Sequence, residues 1–256
     1  MVERRRSAIR TAVVWEALQT AIRSRDDAVG ATRSVHVVDL GGGTGGLAVQ
    51  IAGLGHQVTV VDPSPDALAS LERRAAEADL TPSVQGILGD AATLLDVVGP
   101  GSADVVICHE VLEVVDEPLQ ALEAAAAVLV TGGVVSVLAA QRSGAVFARA
   151  LAGHLADAHA LLDDLPDEPA GGNSRSPSDA GPRRFSLVEL DELLVEAGFT
   201  VTEVRGIRVF TDHISSALVD AEPGAADALQ ALERAVATRP DFMAVATQLH
   251  LLAIPH

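Results

Sequence analysis

An acidic residue and a run of glycines follow the first apolar strand pattern of the chain. Asp39 stands two residues before Gly41, and Gly43 and Gly45 continue the spacing as D-x-G-x-G-x-G. Glycines let a backbone turn sharply and approach a ligand closely, and the helix predicted after them directs free N–H groups at that ligand. The pattern therefore predicts a loop that holds an adenosine-like molecule.

The same glycines leave two classes of ligand open, because Gly41, Gly43 and Gly46 also satisfy the dinucleotide pattern G-x-G-x-x-G. A dinucleotide would bring its pyrophosphate to this loop, where the carboxylate of Asp39 repels it. S-adenosylmethionine (SAM) would instead bring the ammonium and carboxylate of its methionine end, so Asp39 favours SAM. An NAD-dependent oxidoreductase is the alternative, although a chain without Tyr or Lys lacks the proton relay of a short-chain dehydrogenase.

Further polar residues follow the next strand patterns. Asp62 closes the second strand, where a carboxylate can accept hydrogen bonds from both ribose hydroxyls of either cofactor. Asp90 and Ala91 follow the third strand, at the place where SAM enzymes contact the adenine edge. His109 and Glu110 follow the fourth strand, and they are the candidate catalytic residues if the acceptor must lose a proton.

Alternating strand and helix patterns predict the scaffold that positions these residues. We expect strands at 35–39, 57–61, 83–88, 103–108, 134–139, 200–210 and 242–254, and helices at 5–25, 44–54, 65–78, 118–130, 143–162, 185–197 and 224–237, with a short helix after Ala91. Gly132 and Gly133 are expected to end the helix before the fifth strand. The order predicts an α/β fold with a doubly wound, Rossmann-like sheet of seven mostly parallel strands, the last one antiparallel, and helices on both faces.

The length fits a single α/β domain over residues 1–256 with two additions. Residues 1–30 are expected to form a helical cover over the cofactor. Residues 143–185 form a helical and loop insertion, a candidate substrate lid, with a Pro-, Gly-, Ser- and Asp-rich loop at 163–182.

Composition restricts the partners. A formal net charge of −17 and a pI near 4.7 predict a field that repels nucleic acid and phospholipid, so we expect neither DNA nor a membrane as a partner. The single cysteine, Cys108, can form no intrachain disulfide, which fits a cytoplasmic location. The histidines share no metal-ligand spacing, so no metal is expected. A monomer or a homodimer is the expected assembly.

These landmarks resemble the class I SAM-dependent methyltransferases, through D-L-G-G-G-T-G, V-V-D, G-D-A and H-E-V-L-E-V-V-D-E-P. Five segments also resemble the SmtA-like tRNA 5-carboxymethoxyuridine methyltransferases: I-R-T-A-V-V-W-E-A-L, G-H-Q-V-T-V-V-D, H-E-V-L-E-V, G-I-R-V-F-T-D and Q-L-H-L-L-A. The resemblance implies methyl transfer from SAM, with S-adenosylhomocysteine as product, to a carboxylate or hydroxyl acceptor such as a tRNA wobble uridine derivative. A small-molecule methyltransferase and a non-catalytic SAM-binding protein are the alternatives.

The resemblance also implies roles for single residues. Arg10 would meet the SAM carboxylate with its fork of N–H donors, and His109 would form the wall near the sulfonium. The expected cofactor contacts are Arg10, Asp39, Gly41, Gly42, Gly43, Gly45, Asp62, Pro63, Asp90, Ala91 and His109. Arg208 and His213 are expected to line the acceptor pocket. The family's lysine-rich segment is replaced at 163–182 by an acid-rich one, so RNA contacts would depend on a few arginines.

Overall fold

The computed structural model describes residues 2–30, 33–163 and 182–256, without the side chains of residues 2–10, 163, 216 and 220. In this part of the chain the strands are β1 His36–Leu40, β2 Gln57–Asp62, β3 Val84–Leu88, β4 Ala103–His109, β5 Leu129–Ala140, β6 Phe199–Ile207 and β7 Gln248–Pro255. The helices are α1 Val2–Val29, α2 Gly46–Ala52, α3 Pro65–Glu77, α4 Leu94–Val98, α5 Pro118–Val128, α6 Arg142–Leu151, α7 Leu155–Asp163, α8 Leu187–Glu196, α9 Ser216–Ala221, α10 Ala225–Val236 and α11 Pro240–Met243.

The strands form one seven-stranded sheet in the order β3-β2-β1-β4-β5-β7-β6. The sheet is mostly parallel, with antiparallel pairing among its last strands, which confirms the predicted Rossmann-like α/β class. Asp39 of β1 lies opposite Val60 of β2 and Ile107 of β4. Because these strands are parallel, the loops that leave their carboxyl ends lie side by side. The chain order reverses beside β1, and ligands bind at such a switch point in open α/β sheets.

Contacts between Cα atoms divide the chain into two compact units. The first unit is residues 1–17, 139–190 and 204–250, and the second is residues 18–138, 191–203 and 251–256. The first unit contains 13 of the 18 arginines and 15 of the 35 acidic residues, a formal charge of −2. The second unit contains the other 5 arginines and 20 acidic residues, a formal charge of −15. The acidity of the protein is therefore concentrated in the unit that contains β1 to β4. That residues 1–256 form a single domain stays a prediction.

The predicted boundary between α5 and β5 was wrong. The helix ends at Val128, and Gly132 and Gly133 lie inside β5 rather than at a helix end. Ala103 of β4 pairs with Leu129, whereas Val105 pairs with Val134, so the extra residues of β5 form an irregularity between these pairs. The two glycines belong to this irregularity, where Gly132 has a φ of +72°.

The late part of the chain departs further from the prediction. The expected strand at 242–254 begins only at Gln248, because Pro240 starts the short helix α11 and a turn follows it. The strand expected at 200–210 ends at Ile207, since Arg208 has a φ of +62° that no strand accommodates. The helix expected at 143–162 is divided into α6 and α7 near Gly153, and α9 had no predicted counterpart.

Other predicted helices are confirmed. The N-terminal helix is α1. Helix α8 begins after Ser186, whose hydroxyl accepts a hydrogen bond from Glu189 N at 3.2 Å, and it ends before Gly198.

Cys108 is a buried free thiol. Burial raises the pKa of Cys108 to about 12, with further contributions from Glu113 and Asp39. Residues 164–181, most of the predicted loop, lie outside the described part of the chain, so the lid stays a prediction.

Candidate active site

The glycine loop after β1 folds back against β2. Gly41 N donates to Val61 O at 2.8 Å, and Gly45 N donates to Gly42 O at 3.0 Å. A side chain at position 42 would overlap the carboxylate of Asp39, so only glycine lets the loop approach that acid. Gly43 has a φ of +55°, and the space beside it is open. The atom nearest to the position that a Cβ would take there is Asp62 Oδ2, at 3.9 Å. The loop thus leaves a space between its backbone and two carboxylates.

Asp62 connects the loops that follow the first three strands. Its Oδ2 accepts a hydrogen bond from Gly43 N at 2.9 Å, and its Oδ1 accepts one from Ser64 N at 2.9 Å. Its main-chain oxygen accepts a bond from Gly89 N at 3.2 Å. Each carboxylate oxygen has two acceptor positions, so both keep one for a ligand hydroxyl.

Asp39 is buried at the end of β1, with 3% of its surface exposed. Burial raises its pKa from 3.8 to about 7, and the nearby Asp62 adds to the shift. A cation brought against this carboxylate would oppose both effects and lower its pKa, because the ionised form would gain a partner. The electrostatics of the loop therefore favour a ligand with a positive group.

His109 ends β4 in the same unit. Its Nε2 lies 2.8 Å from Ser136 Oγ, and burial lowers its pKa to about 3. The imidazole is therefore neutral at pH 7 and a weak base, and its predicted catalytic role stays a prediction. Glu110 is exposed with a φ of +57°, and its N donates to Leu138 O at 2.8 Å. The role of Glu110 stays a prediction.

The segment after β3 forms a tight turn. Asp90 Oδ1 accepts hydrogen bonds from Thr93 N at 3.0 Å and from Thr93 Oγ1 at 2.9 Å, while Ala91 is half-buried and Pro63 is exposed. Leu88, at the end of β3 opposite Asp62, is 59% exposed. An exposed apolar side chain beside these polar groups provides a surface for a planar ring, and the sequence analysis missed it because its pattern reads only as a strand residue.

Comparison with known proteins shows which sequences this chain is similar to. Residues 38–137 match the family model described as a methyltransferase domain. The tRNA 5-carboxymethoxyuridine methyltransferase of Escherichia coli (strain K12) is 28% identical over 209 residues, which are 80% of this chain and 73% of the relative. A ubiquinone biosynthesis O-methyltransferase of Xanthomonas campestris pv. campestris (strain B100) is 36% identical over 119 residues, 46% of this chain and 48% of the relative.

Residues 38–137 are a SAM-dependent methyltransferase domain. The fold of the chain also resembles that of the CcbJ methyltransferase from Streptomyces caelestis, with a TM-score of 0.56 at 20% identity over 92% of this chain and 94% of the other. The residues of the methyltransferase domain suit SAM in three respects: Asp39 is a buried acid whose ionised form a cation would stabilise, Gly43 leaves open space, and Asp62 retains acceptor positions for ribose hydroxyls. Arg10 lies in α1, and its side chain is outside the described residues, so its contact with SAM stays a prediction.

The residues predicted to contact the acceptor lie in the first unit, after β6. Arg208 Nη2 pairs with Asp212 Oδ2 at 2.6 Å, and its Nη1 donates to Gln248 Oε1 at 3.2 Å. Its Nε is buried and has no hydrogen-bond partner among the described residues. The ring of His213 packs edge-on against Phe147 of α6, with 5.4 Å between ring centroids. Both predicted residues thus lie in one segment, 208–213. Their contact with an acceptor stays a prediction.

Two buried side chains that the sequence analysis missed hold this part of the first unit. Glu233 of α10 bonds to the backbone of segment 208–213, and it reads in the sequence as one more acid on an amphipathic helix. Gln141 follows β5, is 4% exposed, and has its Nε2 within 3.0 Å of Met243 O and Ala244 O. No local pattern predicts such contacts, because their partners are about a hundred residues away for Gln141 and more than twenty for Glu233.

Proposed function

We propose that this protein transfers the methyl group of SAM to a carboxylate oxygen of its acceptor. The observation that carries the choice of a carboxylate is the similarity over 80% of the chain to a tRNA 5-carboxymethoxyuridine methyltransferase, and the lowered pKa of His109 agrees with it because a weak base suits an acceptor that has no proton to lose. A carboxylate is already an anionic nucleophile and needs no base. In the reaction SAM supplies a methyl group on a sulfonium: the new bond joins that carbon to the carboxylate oxygen, the electrons of the broken bond stay on sulfur, and no proton moves.

The residues of the chain bind SAM and orient it. Ionised Asp39 binds the ammonium of the methionine end, and Asp62 accepts from the ribose hydroxyls. Neutral His109, held by Ser136, adds no positive charge beside a sulfonium. Because the reaction neutralises charge and forms no covalent bond to the protein, alignment and the exclusion of water account for the acceleration that the protein must supply.

The acceptor that we propose is a carboxylated uridine derivative in tRNA. The similarity to the Escherichia coli tRNA 5-carboxymethoxyuridine methyltransferase supports this choice because it extends over 80% of the chain, whereas the similarity to the ubiquinone enzyme covers 46%. The charge distribution supports it as well. The first unit, which contains Arg208 and His213, has a formal charge of −2, so the acidity that would repel RNA lies mainly in the other unit.

Arg208 is the residue that we propose for the acceptor carboxylate. A guanidinium presents five donors in a fixed fork, and the buried Nε–H of Arg208 still has none of its bonding capacity used within the described residues. His213 is proposed to contact the same acceptor. A cytoplasmic location, expected from the single cysteine, and a monomeric or homodimeric state belong to this proposal too.

The experiment that tests the function uses tRNA from cells that lack the protein. Purified protein and SAM labelled on the methyl group are incubated with this tRNA, and the product is treated with mild alkali. A methyl ester releases its label as volatile methanol, whereas an ether or an N-methyl group keeps it. Arg208→Ala should abolish most labelling, and Arg239→Ala, which changes an exposed arginine of the same unit, should not. Alkali-stable label would exclude the carboxylate, and unlabelled tRNA would exclude the RNA acceptor.

A further inference from the structure

We propose that Glu233 is a positioning residue for the acceptor, which it reaches through the backbone of residues 208–213. This inference rests on the proposed function, because it assigns a task to the segment that carries Arg208 and His213. Glu233 itself touches neither acceptor nor cofactor. It holds the segment in the conformation that presents these two side chains.

The carboxylate of Glu233 lies in a nest of main-chain donors. Its Oε2 accepts a hydrogen bond from Val209 N at 3.0 Å, and its Oε1 accepts bonds from Phe210 N at 2.9 Å and Thr211 N at 2.7 Å. The hydroxyl of Thr211 donates to the same Oε1 at 2.6 Å. Only 2% of Glu233 is exposed, so these bonds form away from water, where hydrogen bonds to a charged group are strongest.

Three successive N–H groups that converge on one carboxylate require a particular backbone conformation. The residue before them has a strained backbone. Arg208 has a φ of +62°, a conformation that a non-glycine residue adopts only when its surroundings hold it there. The anchoring continues on the other side of the nest, where Thr247 Oγ1 donates to Asp212 Oδ2 at 3.0 Å. The strained turn is thus fixed at both ends, and the buried carboxylate is its main anchor.

A carboxylate is needed at position 233, because an amide of the same size cannot replace it. Four donors converge on its two oxygens, so one of them must face the NH₂ group of a glutamine, which is a donor as well. Glu233→Gln therefore leaves at least one buried N–H group unsatisfied while it preserves the volume of the side chain. We expect this variant to release residues 208–213 without disturbing the methyltransferase domain at 38–137.

The first test needs no acceptor. Amide hydrogen exchange at Val209, Phe210 and Thr211 should be slow in the wild-type protein and at least tenfold faster in Glu233→Gln. The matched control is Glu189→Gln, since Glu189 also accepts a bond from a main-chain amide, Ser186 N at 2.6 Å, in the same unit. That control should leave exchange at the three amides unchanged. Unchanged exchange in Glu233→Gln would overturn the proposal.

The second test separates positioning from general stability. With tRNA from cells lacking the protein as acceptor, Glu233→Gln should raise the acceptor KM about tenfold or more while the SAM dissociation constant stays within twofold. In the double variant Glu233→Gln/Arg208→Ala, the rise in KM should be clearly smaller than the product of the two single effects, because Glu233 acts in part through Arg208. Equal loss of SAM binding and acceptor binding, or additive effects in the double variant, would refute the positioning role. A wild-type protein that fails to methylate the tRNA would instead refute the proposed function, and the exchange test would still judge the anchor.

Discussion

Replacing Asp39 with asparagine should stabilise the protein at neutral pH and weaken SAM binding. Asp39 is 3% exposed, and burial together with Asp62 raises its pKa from 3.8 to about 7. Between these two values the folded protein keeps a proton that the unfolded chain has already lost. The free energy of unfolding therefore falls as the pH rises through this window, by 1.36 kcal/mol per pKa unit. The accumulated loss is about 4 kcal/mol near pH 8, and a neutral asparagine does not incur it.

Urea unfolding of the SAM-free protein at pH 4.5 and pH 8 measures this effect. The stability difference between Asp39→Asn and wild type should be only about 1 kcal/mol at pH 4.5, because this pH is less than one unit above the pKa of the unfolded side chain. At pH 8 it should reach about 4 kcal/mol in favour of the variant. The matched control is Glu72→Gln, which removes an exposed carboxylate from α3 in the same unit and should show a difference of no more than about 0.5 kcal/mol at both pH values.

The same variant should bind SAM about 100-fold more weakly at pH 8, because an amide cannot replace a buried carboxylate opposite an ammonium group. Isothermal titration calorimetry provides this measurement. A variant that is less stable than wild type at pH 8 would show that Asp39 has partners that stabilise its charge. A variant that binds SAM as tightly as wild type would show that the acid before the glycines does not hold the methionine end. Either result would refute the electrostatic reasoning for this loop.

Three further predictions concern the second unit. Because SAM should bind the ionised form of Asp39, binding at pH 6 should release protons, seen as a calorimetric enthalpy that depends on the buffer, and affinity should rise with pH until it levels off above about 7. Gly43→Ala and Gly55→Ala both place a Cβ in open space at positive φ, so each should cost about 1 kcal/mol in urea unfolding, yet only Gly43→Ala should weaken SAM binding. Asp104→Ala should lower the free energy of unfolding by about 3 kcal/mol, since it removes the buried partner of Arg25 Nη2 at 3.1 Å; equal stability to wild type would contradict this reasoning.

The first of these predictions depends on Asp39 and the second on the glycine loop, whereas the third is an independent check on the fold. Asp104 is fully buried, and burial by itself would raise its pKa. Hydrogen bonds from Arg33, from the main-chain N–H of His36 and from Arg25 outweigh burial and hold the pKa at about 2. The stability from this carboxylate should therefore be present above pH 4 and be lost as the pH falls toward 2.

Local sequence patterns correctly predicted the residues whose positions are fixed by the strand and loop in which they lie. Asp39, the glycine loop and Asp62 are set by one strand–turn–helix segment and its neighbour, and the structure brings them together because parallel strands end at the same edge. The element order likewise predicted the sheet, since buried parallel strands read as continuous apolar runs such as Val105 to Cys108.

The wrong predictions arose where distant contacts decide the local structure. Gly132 and Gly133 are typical of a helix end, but pairing with β4 starts β5 before them. The turn before β7 was read as a strand because Val245 and Ala246 are apolar, while Gln141 binds that turn from across the unit through Met243 O and Ala244 O. Glu233 was missed for the same reason, since hydrogen bonds to residues more than twenty positions away leave no periodic pattern in a sequence.

The uneven distribution of charge has consequences for both substrates. SAM carries a net positive charge from its sulfonium, and S-adenosylhomocysteine does not, so a unit with a formal charge of −15 attracts the donor more than the product. An anionic acceptor would be repelled by the same field, but repulsion between exposed charges is screened beyond about 8 Å at physiological ionic strength. Residues 208–213 belong to the unit with a formal charge of −2, so the charge of this unit itself is nearly balanced, and Arg208 is the arginine of the segment. Raising the salt concentration should therefore weaken SAM binding while it affects acceptor binding much less than it would for a protein that holds RNA through many phosphate contacts.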